Sequence, residues 1–174
     1  MIDTYGRNIR YLRLSVTDRC NLRCRYCMPA EGVCKKRHDE MLTEEEIIAA
    51  VRAAASLGID KLRLTGGEPL VKQNILSLCE KSTAVPGIRE VCLTTNGTLL
   101  PTLAKPLRAA GVQRLNISLD TLNAENMPTS RASARSMRHC AAWKRRSTPG
   151  FRISKLTPCS LAALTTTRSP LLPG

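Results

Sequence analysis

An α/β architecture, built as an open, partial (β/α) barrel, is predicted for residues 1–125 of this 174-residue chain. Short β-rich runs alternate with helical runs, which implies parallel strands joined by right-handed crossovers, in a doubly wound sheet or a (β/α) barrel. Each strand-like run has one apolar and one polar side, and the unusual motifs all fall just after such a run.

The first strand is expected over Tyr11 to Thr17, where Leu12, Leu14 and Val16 alternate with Arg13, Ser15 and Thr17. A helix follows over Thr43 to Leu57. Thr43 and Glu46 are spaced as a capping box, Ile47, Ile48 and Val51 share a face, and Gly58 ends it. Lys61 to Thr65 is the second strand, with Leu62 and Leu64 opposing Lys61, Arg63 and Thr65, and Gln73 to Thr83 the second helix. In the third strand, Glu90 to Thr95, Val91 and Leu93 oppose Cys92 and Thr94. Leu99 to Ala110 is a helix stopped by Gly111, and Gln113 to Leu119 is a strand with Leu115, Ile117 and Leu119 opposing Asn116, Ser118 and Asp120. Parallel sheets are covered on both faces, so the apolar sides should meet helices and the polar sides should line an enclosed, wet lumen. Closed barrels are filled by apolar layers; a polar lumen therefore argues for an open one that holds a polar ligand.

Net charge is +13, but it is unevenly placed. All 14 acidic residues precede residue 126, and the stretch 126–174 is basic, rich in Ser, Thr, Pro and Arg, and without helical or strand period. A boundary is set near Glu125: residues 1–125 form the partial barrel and 126–174 a poorly structured basic tail. No apolar run is long enough for a membrane span. Met1 to Arg10 is charged rather than signal-like, so the eight cysteines suggest a reducing cytosol, not a disulfide framework. With one Phe, one Trp and three Tyr, the chain lacks the stacking residues of a nucleic-acid binder.

The post-strand motifs are Asp18-Arg19-Cys20, Gly66-Gly67-Glu68-Pro69, Asn96-Gly97 and Asp120. Active sites of α/β folds lie at those carboxyl ends. Cys20, Cys24 and Cys27 follow a C-x3-C-x2-C spacing, with Tyr26 before the last. Three thiolates on one loop can hold a 4Fe-4S cluster and leave its fourth iron open to a ligand. A zinc site completed by Cys34 or His38 is the alternative. Cys79, Cys92, Cys140 and Cys159 are isolated and read as small apolar residues.

The cysteine loop followed by Gly66-Gly67-Glu68-Pro69 resembles the radical S-adenosylmethionine superfamily. Gly6 to Cys20, Cys27-Met28-Pro29, Arg63 to Gly67, Leu93 to Gly97 and Asn116 to Asp120 are similar to its GTP 3′,8-cyclases, which act in molybdenum cofactor synthesis. That resemblance implies two cofactors, a 4Fe-4S cluster on Cys20, Cys24 and Cys27, and S-adenosylmethionine contacted by Tyr26, Gly67 and Ser118. It implies GTP as substrate, contacted by Arg13, Arg63 and Thr94, whose guanidinium groups suit phosphate or carbonyl oxygens. A salt bridge to Asp18, Glu68 or Asp120 is the purely structural alternative for either Arg. In the implied reaction a 5′-deoxyadenosyl radical removes hydrogen from C3′ of GTP, and the resulting radical attacks C8 of guanine. An electron donor such as a flavodoxin-type protein and a homodimer are further implications.

Family chains are longer, and their C-terminal region supplies a second cluster for GTP; Cys140 and Cys159 do not make its pattern. The polypeptide is therefore expected to be inactive in cyclisation, and residues 126–174 to be a frameshift product. Another radical enzyme, such as a peptide-modifying one, and a nonenzymatic basic binding protein are the competing readings.

Overall fold

A computed structural model describes residues 2–24, 27, 37, 40–118 and 151–157, the stretch from residue 152 on as backbone only. Its five-stranded sheet is parallel throughout, in the order β1-β2-β3-β4-β5, which is also chain order. The strands are β1 (Tyr11–Ser15), β2 (Lys61–Thr65), β3 (Glu90–Thr95), β4 (Arg114–Ser118) and β5 (Arg152–Thr157), and the helices are α1 (Glu44–Ser56), α2 (Ile75–Thr83) and α3 (Leu100–Ala109). A single 3₁₀ turn, Pro69–Val71, follows the Gly-Gly motif.

Helix α1 starts and stops for the expected reasons. The Thr43 hydroxyl accepts from the Glu46 N–H at 3.2 Å, and the Glu46 carboxylate accepts from the Thr43 N–H at 2.8 Å, so two otherwise unpaired donors of α1 are satisfied reciprocally. Beyond the helix, Gly58 takes the left-handed turn at φ 92°. Ile47, Ile48 and Val51 are buried on the face of α1 that meets the sheet.

Strand parity is as expected. Leu62, Leu64, Val91, Leu93, Leu115 and Ile117 are buried in one core with α1, α2 and α3. The opposite face carries the polar residues, and the register aligns Arg13 with Arg63, Arg63 with Cys92, and Cys92 with Arg114 in one lateral row. Arg13 and Ser15 on β1 are exposed, Arg63, Thr94 and Ser118 are half-buried, and Asn116 is buried. The polar face is thus open at the β1 edge and progressively enclosed toward β4.

β5 is a strand that the sequence pattern does not announce. No strand period is visible in the stretch 126–174, yet Arg152–Thr157 pairs in parallel with β4, with a register irregularity at Leu115/Asn116. Sheet extension is a backbone interaction: the outer edge of β4 offers unpaired N–H and C=O groups to any extended segment, whatever its side-chain pattern. Cys140 and Cys159, and the proposed disorder of the remaining tail, lie outside the described residues.

Candidate functional site

The carboxyl ends of β1, β2 and β3 carry three loops that are tied into one another. After β1 the chain runs through Thr17 to Arg19 into the cysteine loop. The Gly67 N–H donates to the Thr17 carbonyl at 2.7 Å and the Glu68 N–H to the Arg19 carbonyl at 2.8 Å. The second loop therefore continues the β1–β2 ladder directly beneath Cys20. A Cβ on Gly67 would fall 2.6 Å from the carbonyl carbon of Arg19 and closer still to its oxygen, and Gly66 sits at φ +148° against Thr17. The missing side chains let the two backbones meet, a requirement of loop docking in addition to any approach of a ligand.

Glu68, 1% exposed, binds this assembly to the third loop. Its carboxylate accepts from the Leu70 N–H (3.0 Å), the Thr95 hydroxyl (2.7 Å) and the Asn96 N–H (2.7 Å). Burial pushes its carboxyl up from the ordinary glutamate value, and the three donors pull it back. Sequence reasoning offered Glu68 only as a salt-bridge partner for an arginine; the signal that could have found this role is an acid immediately after a Gly-Gly strand end.

Of the thiols, Cys20 and Cys24 are half-buried and Cys27 is exposed, and none of the three is in a disulfide. The Cys27 N–H donates to the Cys24 carbonyl at 2.8 Å. The Leu22 N–H reaches the Cys20 sulfur at 3.4 Å. Burial raises the Cys20 thiol above its ordinary value, opposed by that N–H and by Arg23, while Glu68 and Cys27 add to the rise. Among the described residues no three His, Cys, Asp or Glu side chains converge as a ready-made metal cage. The loop fits an iron-sulfur cluster by the chemistry of its donors: only soft thiol ligands, and an amide already directed at a ligand sulfur. Tyr26, Asp120 and the zinc alternatives Cys34 and His38 lie outside the described residues.

The polar row lies below this loop cluster. Arg13 Nε is 3.5 Å from the Thr65 hydroxyl, and Arg63 Nε is 3.4 Å from the Cys92 sulfur, with the guanidinium 5.0 Å from the centre of the Tyr11 ring. Thr94 pairs in register with Asn116, and Ser118 closes β4 at the same end. Arg13, Arg63, Thr94 and Ser118 therefore share one face, while Gly67 lies in the loop above it. A separate groove of about 350 Å³ between α1 and α2, lined by Glu44, Ile48, Arg52, Lys81, Val85 and Pro86, belongs to the helical layer and touches none of these residues.

An α/β sheet that carries a thiol-only loop at its strand ends, docked on a Gly-Gly-Glu turn, defines a metal-cofactor enzyme of the partial-barrel class. A family model for the radical SAM superfamily matches residues 14–154, and the chain belongs to that superfamily. The cofactors of the superfamily are a 4Fe-4S cluster and S-adenosylmethionine. Among curated relatives, the chain is 58% identical over 125 residues to the GTP 3′,8-cyclase of Geobacter sulfurreducens. It is 59% identical over 125 residues to that of Pelotomaculum thermopropionicum. Each match covers 72% of this chain but 38% of the relative. Solved structures with the same fold include BtrN in complex with AdoMet and 2-DOIA (TM-score 0.52, 18% identity, 71% of this chain and 53% of that one). HydG, a maturase of the FeFe hydrogenase, is another (TM-score 0.53, 22% identity, 66% of this chain and 26% of that one). No helix among the described residues is long and apolar enough to cross a membrane.

Proposed function

We propose that this chain carries the cluster-binding and S-adenosylmethionine-binding part of a GTP 3′,8-cyclase, the enzyme that makes the cyclic precursor of molybdenum cofactor. The observation that supports it most is the thiol loop seated on Gly66, Gly67 and Glu68 above a lumen face bearing Arg13, Arg63, Thr94 and Ser118. Sequence identity of 50–59% to curated cyclases over this region supports the same reading.

Cys20, Cys24 and Cys27 would hold the cluster, and Tyr26, Gly67 and Ser118 would contact S-adenosylmethionine. When bound, the pair supplies the radical that takes hydrogen from C3′ of GTP. The protein's own work is placement. Arg13 and Arg63 stand on neighbouring strands, about 4.8 Å apart at the backbone, a spacing that suits adjacent oxygens of a polyphosphate. Thr94 offers a hydroxyl one strand further on, and enclosure toward β4 limits water where a radical would react. Residues 1–125 act as the partial barrel and 126–174 as a basic tail, from which Arg152–Thr157 adds one strand to the sheet. An external flavodoxin-type donor, a homodimer and a reducing cytosol complete the reading, and the absence of a disulfide among Cys20, Cys24 and Cys27 suits it.

Anaerobic reconstitution with iron and sulfide tests this. About four irons per chain are expected, falling to near zero in Cys24→Ala, with an EPR signal that changes on adding S-adenosylmethionine. Cleavage of S-adenosylmethionine without appreciable GTP cyclisation is expected of the 174-residue polypeptide, which spans 38% of its cyclase relatives. Absence of a cluster, or equal iron in Cys24→Ala, would sink the proposal.

A further inference from the structure

Asn21, Thr98 and Asn96 close a ring of side-chain hydrogen bonds between the cysteine loop and the loop after β3. Asn21 Nδ2 donates to Thr98 Oγ1 at 2.8 Å, Thr98 Oγ1 donates to Asn96 Oδ1 at 2.8 Å, and Asn96 Nδ2 donates back to Asn21 Oδ1 at 2.9 Å. Each polar atom is used in the sense its chemistry allows. The Asn96 end is immobilised twice more: its N–H is held by buried Glu68, and its Oδ1 also accepts the Thr98 N–H at 3.0 Å.

Asn21 lies between Cys20 and Leu22, the two residues joined by the N–H to sulfur contact at 3.4 Å. Leu22 itself is 3% exposed, so its side chain anchors one side of the peptide while the ring anchors the other. Arg23 braces the carbonyls of Cys20 and Leu22, both at 3.0 Å. An N–H dipole directed at a ligand sulfur stabilises the extra negative charge of a reduced cluster, and so raises its reduction potential.

We infer that the Asn21–Thr98–Asn96 ring positions the Leu22 N–H on the Cys20 sulfur and thereby tunes the potential at which the bound cluster accepts its electron. The inference rests on the cluster assignment above. The step concerned is the entry of one electron from an external low-potential one-electron reductant into the oxidised cluster; no bond breaks and no proton moves. Asn21, Thr98 and Asn96 are positioning residues, acting through the Leu22 amide.

Thr98→Val removes the hydroxyl that relays the ring while keeping its shape, and Thr98→Ser keeps the hydroxyl. Asn21→Ala breaks the ring from the cysteine side. In the full 174-residue chain without cluster, amide exchange at Leu22 should quicken roughly tenfold in Thr98→Val and Asn21→Ala, and stay at the parental rate in Thr98→Ser. In reconstituted protein of equal iron content, a mediated electrode titration should put the midpoint of both disrupted variants lower. A tenfold weaker reduction corresponds to about 59 mV for one electron. Thr98→Ser should match the parent. Unchanged midpoints in Thr98→Val and Asn21→Ala overturn the inference, whether or not exchange quickens. A parent chain that takes up no cluster overturns the cluster assignment and the tuning with it, and unchanged Leu22 exchange separately removes the ring's hold on the amide.

Discussion

The carboxylate of Glu68 accepts the backbone N–H of Asn96 at 2.7 Å, bridging the loops that end β2 and β3. Two other donors, the Leu70 N–H and the Thr95 hydroxyl, converge on the same buried group. Glu68→Ala strands all three away from water and should cost about 3 kcal/mol of folding free energy, read from urea unfolding of the unreconstituted chain. Glu68→Gln keeps one acceptor oxygen and should cost less. An alanine variant as stable as the parent would contradict the bridging role.

Gly67→Ala places a methyl group into the Arg19 peptide, with rigid backbone on both sides. Overpacking of this kind should destabilise the chain by roughly 3 kcal/mol. It should also lower iron uptake, because the cysteine loop loses its seat. Gly67 is not among the glycines with positive φ, so the cost comes from the close approach to the Arg19 peptide and not from a left-handed backbone.

Acid should weaken the contact between α1 and α2 through Glu44. Lys81 at 2.7 Å, with help from Ser77 at 2.6 Å and from Asn74, holds its carboxyl below the ordinary glutamate value of 4.5. A carboxyl whose folded value is depressed contributes stability that is present above the unfolded value and lost as pH falls through the folded one. The stability difference between parent and Glu44→Gln should therefore be largest at neutral pH and shrink below about pH 4.5. Unfolding midpoints of both chains across that range check it; a constant difference would refute it.

The change of composition at residue 126 predicts a shifted reading frame in the gene. Acids stop there, and a single-base shift from Asn126 should restore an acidic, helically patterned stretch followed by a strand. Resequencing decides the matter, since codons that do not give this continuation would end the idea. Restoring the base should recover cyclase activity.

Strands and helices of residues 1–118 were legible because their signals are local: period-two alternation in Leu62 and Leu64, the Thr43/Glu46 box, and the glycine stops at Gly58 and Gly111. The β2 and β3 bounds agree with the sequence reading to the residue. Cysteine spacing and the Gly-Gly motif singled out two loops that the structure ties together at the strand ends. What holds those motifs together was not legible: Asn21 and Thr98 are 77 residues apart, and short polar side chains carry no mark of their partners. β5 was invisible for a different reason, since pairing with an open edge needs only extended backbone.

Because strand order equals chain order, each strand to leave the ribosome finds its partner already made. β2 joins β1, then β3 joins β2, and no pairing waits for a distant segment. All three loops of the thiol site follow β1, β2 and β3, so the site is assembled once Asn96 and Thr98 have emerged. Interruption of synthesis or a change of frame beyond β4 leaves that early-built corner intact, which makes it the natural seed for refolding.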